Sequence, residues 1–131
     1  MLRTTAAAVL AAAAAAALSA PAVAAAPPVQ VHLADVECKD LSAAVAMVPE
    51  LQAEHPDPAR TPVVAYRITA GKNAPTTEYE FKVDGETKGS GVVGAQGLVA
   101  SSTSIPNNRE VTVEIVSGDR TLAARTYHPS C

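Results

Sequence analysis

The chain has 131 residues, with 10 Lys+Arg against 13 Asp+Glu and a formal net charge of −3. Acids and bases are interspersed without a basic stripe, which excludes nucleic acid and anionic membrane surfaces as expected partners. With no Trp, one Phe and three Tyr, the core must come mostly from Val and Ala, which bury less area per residue than aromatics.

Residues 1–24 have the layout of a secretory signal peptide. Arg3 supplies the charged start, residues 6–18 an apolar run too short to span a bilayer, and small residues surround Pro21. The preferred cleavage frame is Ala22-Val23-Ala24, leaving residues 25–131 as a single domain. The competing reading, an Ala-rich helix of the fold, has propensity in its favour but no amphipathic stripe. Loss of Arg3 leaves 9 basic against 13 acidic residues, a net charge near −4. No second long apolar stretch follows, so the expected product is secreted and extracellular, without membrane contact after cleavage, and monomeric.

From Val29 the pattern becomes period two, as half-buried strands require. Val29, Val31 and Leu33 alternate, and the alternation resumes out of parity at Val36 and Cys38. That shift predicts a bulge near Ala34-Asp35. Leu41, Ala43, Val45 and Met47 again alternate and are read as a strand, although the alanines also favour helix. Four prolines then fall within residues 49–62 and predict a long, stiffened connection. A loop of that length in a compact domain is a candidate contact element. Its polar residues Glu50, Gln52, Glu54, His55, Asp57 and Arg60 are the candidate contacts.

Further strands follow. Val64, Tyr66 and Ile68 share one face, as do Tyr79, Phe81 and Val83, with Glu78, Glu80 and Lys82 opposite them. Asp84-Gly85 is a hairpin turn dipeptide. Residues 97–105 form another strand, Val111, Val113 and Ile115 point inward from the next, and Ser117-Gly118-Asp119 turns the chain into the last. The expectation is an all-β, antiparallel, immunoglobulin-like β-sandwich of about seven strands, preceded by a signal peptide.

Two cysteines in a small exported chain point to one disulfide, Cys38–Cys131, against the alternatives of a free thiol or an intermolecular bridge. Gly89, Gly91 and Gly94 spell G-x-G-x-x-G, but the βαβ frame that a dinucleotide site needs is missing, so the glycines are read as strand bends. His32, His55 and His128 are too scattered for a zinc set. There is no nucleophile elbow, and Glu78 with Glu80 reads as a solvated strand face. No cofactor, metal or enzymatic activity is therefore expected. Tyr127 is the one aromatic left free to serve as a sugar platform.

The segments V-H-L-A-D-V-E-C, E-Y-E-F-K-V-D-G and V-T-V-E-I-V-S-G-D-R-T-L-A-A-R-T, with the closing Cys131, resemble the small secreted immunoglobulin-like domains of high-GC Gram-positive (actinobacterial) bacteria. The size and class are also similar to the antitumour chromoprotein apoproteins, but those carry two disulfides where this chain can form one. No site residue carries over from either group, and the expected function is that of a non-catalytic secreted domain that contacts an unidentified protein or cell-surface partner. The alternatives are a hydrolase inhibitor presenting residues 49–62, or a small-ligand carrier.

Overall fold

The computed structural model describes residues 28–131, so the expected signal peptide and its cleavage frame lie outside the described residues. Among the described residues seven strands form two antiparallel sheets. They are β1 (Val29–Lys39), β2 (Thr61–Ala70), β3 (Thr77–Val83), β4 (Glu86–Val93), β5 (Leu98–Ser104), β6 (Val111–Ser117) and β7 (Arg120–Tyr127). One sheet runs β1-β2-β5, the other β4-β3-β6-β7. The fourth strand thus lies on the edge beside β3, where variable-type immunoglobulin domains place their extra strands, and not beside β5.

Alternation decides which residues meet between the sheets. Val64 and Ile68 from one sheet and Phe81, Val111, Val113 and Ile115 from the other are almost completely buried. Tyr66 bridges the layers, stacking on Phe81 at 4.9 Å between centroids and meeting Tyr79 edge-on at 6.4 Å. The bulge expected in β1 is present, with register shifting between Leu33 and Val36.

Gly89 and Gly91 pair with Phe81 and Tyr79 across the β3–β4 ladder. A Cβ on Gly91 would lie 2.6 Å from the Tyr79 hydroxyl, so the glycine is what lets that ring lie across β4. Within the G-x-G-x-x-G string only Gly91 makes room for an aromatic ring, and a Cβ at Gly89 or Gly94 would meet open space.

The segment read as a strand at residues 41–48 is instead a short helix, α1 (Ser42–Met47). Ala43, Ala44 and Ala46 favour helix, Val45 alone is buried within it, and among the described residues no neighbouring strand is there to pair with. Residues 49–62 are not a bare loop either. Pro49 and Pro58 each open a 3₁₀ turn, Pro49–Gln52 and Pro58–Arg60, where a missing N–H costs nothing.

Candidate functional site

One end of the sandwich gathers the β1–β2 connection (41–60), the β3–β4 turn and the β5–β6 connection. The β1–β2 connection is closed at its base by the Leu41 N–H donating to the Pro58 carbonyl at 2.6 Å. The Thr61 hydroxyl donates to the same carbonyl at 3.1 Å, and the Ser42 N–H donates to Asp40 Oδ1 at 2.9 Å. The Ser42 side chain first, and then this N–H bond, hold the Asp40 carboxyl below its ordinary value. Inside the connection the Val48, Leu51 and His55 N–H groups donate to Ala44, Val48 and Leu51 carbonyls at 3.0 Å each. The segment is therefore an ordered platform anchored by Val45.

What the platform presents is apolar. Met47 is 83% exposed and Val48 44% exposed, beside exposed Ala43, Ala46 and Pro49. An exposed Met and Val on a fixed turn, with Glu50, Gln52 and Glu54 following, have the arrangement of an apolar contact centre with a polar rim. The sequence reading singles out the polar residues and passes over this exposed apolar pair. The available signal was the charge-free stretch 41–49, which has too few apolar neighbours to be a core element.

Below the platform a cleft of about 730 Å³ opens between the connection, the β3–β4 turn and the β5–β6 connection. Glu54, His55, Asp57 and Arg60 line its near wall, whereas Glu50 and Gln52 stand outside it. Its far wall holds two acid–base pairs that sequence reading did not assemble. Arg109 donates to Asp84 at 2.8 Å, and Lys88 lies 3.2 Å from Glu86. Asp84 also accepts the Thr112 N–H at 2.9 Å. That backbone bond and then the Arg109 bond hold its carboxyl below the ordinary range. Such an acid stays ionised at neutral pH, the opposite of what a general acid requires. Among the described residues no Phe, Tyr or Trp side chain lines the cleft.

Cys38 and Cys131 are joined, with Cα atoms 5.5 Å apart. The bridge sits three residues before α1 begins its approach at Leu41, so it fixes the root of the platform to the C-terminal tail. Asn107 holds that tail from the other side, its Oδ1 accepting the Cys131 N–H at 2.9 Å and its Nδ2 donating to the Cys131 carbonyl at 3.2 Å. Tyr127 is not a free platform. It is 4% exposed, donates its hydroxyl to the Ala34 carbonyl at 2.7 Å and lies under the Arg125 guanidinium. All four aromatics are therefore buried or half-buried.

Among the described residues no group of three or more His, Cys, Asp or Glu side chains is placed to hold a metal ion. No helix among them is long and apolar enough to cross a membrane. Comparison with known proteins found no matching family model, no matching curated protein and no matching solved structure.

Proposed function

We propose that the chain is a non-catalytic secreted module, of the immunoglobulin-like kind found in high-GC Gram-positive bacteria, that meets a protein or cell-surface partner through residues 41–60. The observation that carries this is the exposure of Met47 and Val48 on a segment held by backbone hydrogen bonds from Leu41, Val45, Val48, Leu51, His55 and Arg60 and covalently rooted at Cys38. Ordering such a segment in advance lowers the entropic cost of binding. An apolar centre with a charged rim is how protein contacts concentrate their affinity. An oxidising destination accords with the disulfide.

The polar cleft beneath serves the same reading better than that of a small-ligand carrier, which needs an enclosed and mostly apolar cavity. Glu54, Asp57 and Arg60 then supply orientation at the rim of the contact.

The test is binding of labelled chain to cells of the producing organism and to their immobilised secreted proteins. The Met47→Glu, Val48→Asp double variant should lose the signal. Asp119→Lys, on the β6–β7 turn at the opposite end, should keep it. Equal binding by both variants would overturn the reading. Inhibition of a secreted protease or glycosidase, lost in the double variant, would identify the partner as a hydrolase.

A further inference from the structure

Of the strands at the sheet edges, β5 is unlike the rest. β1 is bulged and tied to β7 by Tyr127 and Arg125, and β7 carries Arg120 and Arg125 and its own register shift. β4 has a register shift and the Glu86–Lys88 pair. In contrast β5 runs Leu-Val-Ala-Ser-Ser-Thr-Ser without charge, proline or bulge, and pairs with β2 alone among the described residues. It sits in a run free of Asp, Glu, Lys and Arg that extends over residues 89–108. Exported proteins blunt exposed edges with charges, prolines or bulges, and this edge has none of them.

The backbone of β5 is self-complementary. The Ala70 N–H donates to the Gly97 carbonyl, and the Ile105 N–H to the Pro62 carbonyl. Antiparallel alternation then turns the amides and carbonyls of residues 97, 99, 101, 103 and 105 towards β2. Those of Leu98, Ala100, Ser102 and Ser104 are left pointing outward. A twofold axis at Ser101 sets Leu98 against Ser104 of a second copy and Ala100 against Ser102. Every outward donor then meets an outward acceptor. Side chains that face each other are small or uncharged, so a molecule of net negative charge meets its copy without local repulsion. Leu98, 62% exposed, gains cover at each end of the seam.

We infer that β5 is the seam of a twofold homodimer, joining two three-stranded sheets into one six-stranded sheet, β1-β2-β5-β5-β2-β1. This departs from the monomer expected from the sequence. Twofold pairing consumes the edge of both copies, so assembly stops at two and does not propagate. An unlike extended peptide on the same edge would need no such symmetry of register.

Sedimentation equilibrium of the exported chain across micromolar to millimolar concentration tests the inference, with amide exchange followed in parallel. The chain should dimerise with concentration, and exchange at Leu98, Ala100, Ser102 and Ser104 should slow as it does. Ala100→Pro removes an outward N–H that β2 does not use, and Ser102→Lys places a charge on the seam. Each should weaken the dimer by about tenfold or more, the equivalent of about 1.4 kcal/mol. Ser102→Lys alters an exposed side chain, so it should keep its fold even where the proline does not. A chain that stays monomeric with unchanged exchange, or a dimer that tolerates both substitutions, would overturn the inference.

Discussion

The two long sides of this sandwich are built on opposite terms. On the β1/β7 side, Tyr127 and Arg125 reach across to the bulge in β1, bonding the Ala34 and Leu33 carbonyls and Asp35. The disulfide and the Asn107–Cys131 pair continue the seal to the end of the chain. On the β4/β5 side nothing comparable is present among the described residues, and the strands there are rich in Gly, Ser and Ala. The difference shows how a domain with a small-aliphatic core divides its labour. Cross-links on one side supply the stability that the core cannot, and the other side is left as backbone available for contact.

Removing the seal is the largest test of that division. Cys38→Ala with Cys131→Ala frees a loop spanning 93 residues of separation. The chain-entropy account predicts a loss of about 4–5 kcal/mol, comparable to the net stability of a marginal domain. Denaturant titration of the variant beside wild-type protein measures it. A loss below about 1 kcal/mol would mean that the polar contacts of Tyr127, Arg125 and Asn107 suffice, and the two sides would then differ less than the fold implies.

Gly91→Ala strikes the other side. Its Cβ would lie 2.6 Å from Tyr79 Oη and 2.8 Å from Cζ of a ring that is buried and packed edge-on against Tyr66. The ring must shift, at about 1–3 kcal/mol, and the thermal midpoint should fall accordingly. Tyr127→Phe returns to the sealed side with a smaller effect, about 1 kcal/mol for the lost bond to Ala34. Both are read by the same titration. If Tyr127→Phe costs more than Gly91→Ala, the seal depends on this hydroxyl more than on packing.

These cases also show what was legible in the sequence. Strand faces were readable because alternation is a local property, and the β1 bulge was readable because a bulge breaks parity. The disulfide followed from a count of two. Helix α1 was misassigned because six residues with one buried side chain carry no periodicity to separate helix from strand. Tyr127 was misread because its partner Ala34 lies 93 residues away, and the Asp84–Arg109 pair was invisible because topology alone joins it. The candidate loop was found from its prolines, yet its most exposed apolar residue, Met47, lies just before them.

The smallest effect belongs to Asp84, which ties the β3–β4 turn to the β5–β6 connection at the cleft. Its bonds from the Thr112 N–H and from Arg109 hold the folded carboxyl below 3.8, its ordinary value. A depressed folded value means that the stabilisation is fully present above the unfolded value and is lost as pH falls through the folded one. Stability of the wild-type protein should therefore decline from roughly pH 4 downward as this acid is protonated. Asp84→Asn should decline less over the same range, with the difference between the two shrinking as pH falls. Asp40 is depressed too, through Ser42 at the root of the platform, and it is retained in the variant. The variant's curve should therefore keep a residual acid slope that Asp40→Asn removes. Parallel acid titrations of stability for the two single variants separate the contributions. Identical slopes in Asp84→Asn and wild-type protein would show that the turn is held by packing and not by this carboxylate.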